Sequence, residues 1–99
     1  MEIKIPKSFE LGALKYDVKH IDELCHGVEY GNCNVAETVV EIADTHHGKP
    51  VSECRKEQVF FHEFVHAILD ILGKEELNSD EEFIEAFSNM LHQGIKSFK

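Results

Sequence analysis

The chain has 99 residues, of which 42% are hydrophobic and 29% charged, so it suits one globular domain and leaves little room for a second. Nineteen acidic and ten basic residues give a formal net charge of −9, and such a surface repels the phosphates of nucleic acids. No apolar run approaches the roughly 18 residues that span a bilayer, and the polar N-terminus lacks the apolar core of a signal peptide. We therefore expect a single domain over residues 1–99 in the cytoplasm, with no nucleic acid or membrane as a partner.

The first half of the chain has the alternating and β-branched patterns of strands, separated by residues that favour turns. In chain order, the patterns predict a strand over residues 2–5, a hairpin over 9–18 with its turn near Gly12, a loop over 30–34, a strand over 37–43, and a polar loop or turn over 46–50.

The second half has the patterns of two helices. Ser52 is the predicted N-cap of the first, which runs to about Leu72 and ends at Gly73. Its middle is apolar nearly all round, as is typical of a helix buried in the centre of a domain. The second helix begins at residues 79–82, which have the S-x-x-E form of a capping box. Four of its residues are expected to pack inward: Phe83, Phe87, Met90 and Leu91. These elements predict an α+β fold in which a small, mostly antiparallel sheet packs against two helices.

The buried helix carries polar residues in one place, the sequence His62-Glu63-Phe64-Val65-His66. Histidines at positions i and i+4 lie one turn apart on the same helical face, so both imidazoles can bind one ion. Two histidines and a glutamate in an apolar helix would be costly to bury without a shared role. In an HExxH site, the glutamate does not bind the metal but takes a proton from the metal-bound water as it attacks a carbonyl. We therefore predict a Zn²⁺ site with His62 and His66 as ligands and Glu63 as the general base.

A catalytic zinc ion has three protein ligands as a rule, and the second helix supplies carboxylates for the third position. Glu85 is the predicted third ligand, because it lies 19 residues beyond His66, after a link short enough to bring the second helix back across the first. Glu82, one turn earlier, is the main alternative, and Glu81 is a less favoured one. Asp70 lies one turn after His66 and is a further alternative, either as a ligand or as a support for one.

The order of these residues resembles that of a known peptidase family. The HExxH sequence followed by Glu85-x-x-Ser88-Asn89 resembles the gluzincins, and residues 59–91 are similar to small phage and prophage relatives of the ImmA/IrrE metallopeptidases. The resemblance implies a minimal zincin-like fold in which Glu85 is a zinc ligand and Asn89 supports a ligand histidine. It also implies a peptide or protein substrate, such as a regulatory protein. In zincins a strand edge above the metal helix binds the substrate backbone, and residues 37–43 are the candidate for that edge.

Two functions are consistent with the sequence, and a third possibility is an inactive precursor whose N-terminal residues block the cleft. The favoured one is a metallopeptidase that hydrolyses peptide bonds through a zinc-bound water activated by Glu63. The alternative is a non-catalytic, zinc-stabilised protein-binding module that retains the peptidase fold. Glu63 favours the enzyme, because a purely structural zinc site has no need of it. The small size of the chain favours the module, since few residues remain to form substrate subsites.

The roles of five further residues are open. His46 and His47 precede the metal helix, and either a place in the cleft or a solvated loop suits them. The three cysteines are Cys25, Cys33 and Cys54. Because they are odd in number and form no CxxC pair, we expect free thiols rather than a disulfide framework.

Overall fold

The computed structural model describes residues 2–99, which form six strands and three helices. In chain order these are β1 (Ser8–Leu11), β2 (Leu14–Ile21), β3 (Gly31–Asn34), β4 (Val39–Ala43), β5 (Thr45–His46), β6 (Lys49–Pro50), α1 (Glu53–Leu72), α2 (Glu75–Asn78) and α3 (Glu81–Lys96). A short 3-10 turn at Cys25–Gly27 precedes β3. The predicted α+β class is confirmed, and none of the helices in this part of the chain is long and apolar enough to cross a membrane.

Four strands form the main sheet, in the order β1-β2-β4-β3. The hairpin predicted around Gly12 is present as β1 and β2, which are antiparallel, and the strand predicted over 37–43 is present as β4. β4 pairs with β2 in parallel and with β3 in antiparallel orientation, so β4 is an interior strand and β3 lies at an edge. The segment 46–50, predicted as a loop or turn, is a turn at His47-Gly48 that joins β5 and β6.

Two predictions in this half were wrong. Residues 2–5 form no strand, because their backbone pairs with no neighbouring strand. The apolar side chains of Ile3 and Ile5 nevertheless pack against the core. The predicted loop over 30–34 is largely strand β3. Its glycine and asparagine residues favour turns, but pairing with β4 overrides this local preference.

Helix α1 packs its apolar side on the sheet and forms the centre of the core. Its buried residues meet the inward side chains of β2 and β4 in one cluster: Tyr16, Val18, Val40, Ile42, Val59, Phe60, Phe61 and Ala67. Both predicted ends of α1 are confirmed. Ser52 Oγ accepts a hydrogen bond from Arg55 N at 3.2 Å, and Gly73 ends the helix with a left-handed φ of 70°.

Helix α3 packs mainly on α1, and the predicted details of its start and its inner face were partly wrong. Its N-cap is Asp80, whose Oδ1 accepts from Phe83 N at 3.0 Å, whereas Ser79 is the C-cap of α2 and its hydroxyl donates to Glu75 O. Phe87 and Met90 are 48% and 65% exposed. The side that faces α1 is formed by residues at helical spacing, three of them buried: Ile84, Ser88 and His92.

A polar contact joins the N-terminal part of α1 to the C-terminal part of α3, far from the segment that connects the two helices. His92 Nε2 donates to Glu57 Oε1 at 2.9 Å, and Lys96 Nζ donates to the same oxygen at 3.2 Å. Burial acts to raise the pKa of Glu57, but the hydrogen bonds from His92 and Lys96 outweigh it, so this pKa lies below its usual value. The carboxylate therefore stays ionised and holds α3 in one register along α1.

The close approach of β3 to α1 depends on Gly31. A Cβ atom at this position would lie 2.5 Å from Val59 Cγ1 and 2.9 Å from Glu41 O. We expect Gly31→Ala to lower the free energy of unfolding by about 1–3 kcal/mol, because a buried neighbour and the strand backbone must both move. Denaturant unfolding measures this difference. Gly94→Ala is the matched control, since a Cβ there meets nothing within 4 Å, and as a helical substitution it should stabilise by up to about 1 kcal/mol. Equal stability of the Gly31→Ala variant and the unchanged protein would contradict the tight packing.

Candidate metal centre

The two histidines of the HExxH sequence lie on the side of α1 that faces α3. Their rings are 5.0 Å apart between centroids, and both Nε2 atoms point at the carboxylate of Glu81 from the first turn of α3. His62 Nε2 lies 3.2 Å from Glu81 Oε2, and His66 Nε2 lies 3.2 Å from Glu81 Oε1. One ligand atom from each of the three residues falls within 4.8 Å of the others, so the three groups converge on one point.

The opposite nitrogen of each ring is held by a polar side chain. His62 Nδ1 donates to Glu85 Oε2 at 2.9 Å, and His66 Nδ1 donates to Asn78 Oδ1 at 2.6 Å. Because each acceptor keeps the proton on Nδ1, the lone pair of each ring lies on Nε2 and faces Glu81. This is the arrangement in which outer partners orient metal-binding histidines.

The three groups fit a zinc ion. Two imidazole lone pairs and a carboxylate are all electron donors, and they face one another with no proton between them when both Nδ1 atoms are protonated. Zinc bound tetrahedrally at 2.0–2.2 Å separates its ligand atoms by about 3.4 Å. Each Nε2 atom lies 3.2 Å from a different oxygen of Glu81, and one ligand atom from each residue lies within 4.8 Å of the others, so a modest closing of the side chains would bring the three to that spacing. A cation bound between them would offset the electrostatic repulsion between the two Nε2 lone pairs and the Glu81 carboxylate.

Glu63 lies beside the site, between α1 and β3, and is only 7% exposed. Burial, with the negative charges of Glu81, Glu29 and Glu85, raises the pKa of Glu63 to about 8. At pH 7 the group is therefore mostly protonated, in a place largely shielded from water. A cation held by the histidines and Glu81 would oppose this rise in pKa.

Two clefts meet at the site, and both are lined by Glu29, Gly31, His62 and Glu63. The first cleft, of about 320 Å³, extends toward the N-terminal end of α1, beside Tyr30 and Arg55. The second cleft, of about 440 Å³, extends the other way, beside Asp70 and Asn78. An extended chain lying along β3 would pass through both clefts.

The edge of β3 faces these clefts. Ala43 N donates to Tyr30 O at 2.8 Å, and hydrogen-bonded residues alternate in an antiparallel pair. Tyr30, Asn32 and Asn34 lie at every second position, so their backbone groups bond to β4. The N–H and C=O groups of the residues between them, Gly31 and Cys33, therefore point away from β4. The prediction that residues 37–43 form the open edge was wrong, because β4 is covered on both sides by β2 and β3.

The structure places the other candidate ligands around the three groups. Glu85, the predicted third ligand, contacts His62 Nδ1, and Asn89 donates to Glu85 Oε1 at 3.3 Å rather than to a histidine. The contacts expected for Glu85 with the metal-facing side of the histidines, and for Asn89 with their outer side, are thus made one turn earlier, by Glu81 and Glu85. A metal-binding role for Glu85 stays a prediction, and the contacts favour Glu81 in that place. Asp70 lines the second cleft, while neither it nor Glu82 belongs to the converging groups.

The sequence did not indicate Asn78 as a site residue. Its only signal is a side-chain amide three positions before Glu81.

His46 supports the wall of the first cleft, since its ring stacks on Tyr30 at 3.9 Å and its Nε2 donates to Val28 O at 3.2 Å. His47 packs edge-on against His46. All three cysteines are free thiols, with Cys33 half-buried in the second cleft.

Comparisons with known proteins assign no family to this geometry. No protein-family model, curated protein or solved structure matches the chain. The resemblance to the ImmA/IrrE metallopeptidases therefore stays a prediction from the sequence. Any function proposed for the site depends on the contacts of His62, His66 and Glu81.

The contacts predict different effects for the glutamates of α3. Glu81→Ala should weaken zinc binding by more than about 100-fold, because it removes a donor, whereas Glu85→Ala should cost about 10–100-fold through loss of support for His62. Glu82→Ala is the matched control and should leave the affinity unchanged. Competition with a chromophoric chelator measures all three affinities. A larger loss in Glu85→Ala than in Glu81→Ala would instead identify Glu85 as the third ligand.

Proposed function

We propose that this protein is a peptidase that uses a zinc ion held by His62, His66 and Glu81. The observation that carries the proposal is that both HExxH imidazoles face one carboxylate while a polar side chain orients each ring from behind. Structural zinc sites have four protein ligands as a rule, whereas catalytic sites have three and an open position. Three converging groups beside two clefts support the catalytic kind.

Glu63 is the residue proposed to move the proton. When bound, zinc lowers the pKa of water and polarises a carbonyl group. Glu63 accepts the proton of the water that attacks the peptide carbonyl, and it then donates this proton to the leaving amine. Its burial suits both steps, since a shielded carboxylate exchanges its proton with the reacting groups rather than with solvent.

The open edge of β3 is the proposed binding site of the substrate backbone. Gly31 and Cys33 present unpaired N–H and C=O groups on this edge, and an extended peptide can add to it as a strand. Gly31 is also adjacent to Glu63, so a peptide paired at this position lies next to the proton acceptor. A regulatory protein as the natural substrate, which the sequence resemblance implies, stays a prediction.

The alternative function, a zinc-stabilised binding module, shares the metal and the fold with the peptidase. The two functions differ in their need for a proton acceptor. Burial of a carboxyl group that is 7% exposed and close to other negative charges costs stability, and a binding module has no use for a proton acceptor at this position. The position of Glu63 therefore favours the peptidase.

The substitution Glu63→Gln distinguishes the peptidase from the binding module. We expect the variant to keep one zinc ion per chain, because Glu63 is not a ligand, and to lose peptide hydrolysis by roughly 10²–10⁴-fold. Zinc content by elemental mass spectrometry and cleavage of a random peptide library by mass spectrometry provide the two readouts. Glu82→Gln is the control of equal charge change and should keep both properties. Full zinc occupancy without cleavage in the unchanged protein would instead support the binding module.

A further inference from the structure

The first cleft contains one cationic side chain in otherwise acidic surroundings. Among residues 2–99, Arg55 is the only lysine or arginine that lines either cleft, although Glu29, Glu63 and Glu85 all line the first one. It is also the only arginine of a chain with 19 acidic residues. Even so, Arg55 takes part in none of the ion pairs formed within the described part of the chain.

The guanidinium group of Arg55 is held in place without a carboxylate. It lies 4.5 Å from the centre of the Tyr30 ring, and its Nη1 donates to Gln58 Oε1 at 3.3 Å. Tyr30 itself stacks on His46, whose Nε2 donates to the backbone of Val28. Arg55 is exposed, and one of its five N–H donors is used, so four are available beside the ring.

We infer that Arg55 binds a carboxylate of the peptide substrate, which gives the proposed peptidase a preference for acidic groups near the cleaved bond. The planar fork of a guanidinium matches a carboxylate through two parallel hydrogen bonds. The nearby glutamates disfavour a more highly charged anion such as phosphate, because their repulsion grows with its charge. This inference rests on the proposed function for the substrate class, while the carboxylate binding itself rests on the contacts of Arg55.

The position of Arg55 sets where this carboxylate lies. Arg55 precedes His62 by seven residues, or about two turns and 10 Å along α1. An extended peptide advances about 3.3 Å per residue. The carboxylate therefore lies about three residues from the reacting carbonyl. It belongs either to an aspartate or glutamate side chain or to the C-terminus of a short peptide.

The test measures binding without hydrolysis, with zinc-loaded Glu63→Gln protein and three libraries of labelled octapeptides. One library contains Glu at one varied position and an amidated C-terminus, and the second replaces that Glu with Gln. The third has Gln and a free C-terminal carboxylate. Fluorescence anisotropy should show that the first or the third library binds about tenfold more tightly than the second, and the tighter of the two identifies the source of the carboxylate.

Three further substitutions in the same background assign the preference. Arg55→Ala should abolish it, while Arg55→Lys should keep only part of it, because an ammonium group lacks the fork. Lys15→Ala removes an equal charge from an exposed position on β2 and should change nothing. Equal or absent binding of the three libraries, or a preference that survives in Arg55→Ala, would overturn the inference.

The outcomes separate this inference from the proposed peptidase activity. An Arg55-dependent preference in a protein whose unchanged form cleaves no peptide would sustain carboxylate binding and reject the peptidase. Cleavage of the random library with no dependence on acidic residues would sustain the peptidase and reject the role of Arg55.

Discussion

Burial of one side of α1 against the sheet is the interaction on which the rest of the structure depends. Phe60 and Ala67 pack into the core with the inward side chains of β2 and β4. An α-helix turns about 100° per residue, so burial of this side fixes the rotation of the whole helix. That rotation directs His62 and His66 toward α3, and it leaves Glu63 against β3. The apolar core therefore determines where the polar groups of the site point.

The second constraint is the register of α3 along α1. Two polar contacts set it, one between Glu57 and His92 and the other between the HExxH histidines and Glu81. The helices are antiparallel, and the two contacts lie on the same interface, so a shift of α3 by one turn breaks both. The pair of Glu57 and His92 thus supports the site from a distance, because it keeps the first turn of α3 opposite the histidines.

The elements that could be predicted from the sequence are those encoded by local patterns. The caps at Ser52 and Gly73 and the apolar stretch between them are sufficient to define α1. The third carboxylate could not be assigned in this way, because Glu81 and Glu85 lie one turn apart and both follow a short link. Only the register between the helices distinguishes them. β3 was missed for a related reason, since its residues favour turns and its pairing with β4 is a contact between distant positions of the chain.

The short edge of β3 also affects how the protein meets other copies of itself. An open sheet edge is a template for self-association, but this one presents only the backbone groups of Gly31 and Cys33, which alternate with polar Asn32 and Asn34. The four groups together contribute about 4 kcal/mol net, which at most balances the loss of at least about 4 kcal/mol in freedom of motion on association. Pairing at this edge alone is therefore too weak to join two chains. A strand stays there only if the adjoining cleft binds it as well, so the shortness of β3 limits self-association at this edge.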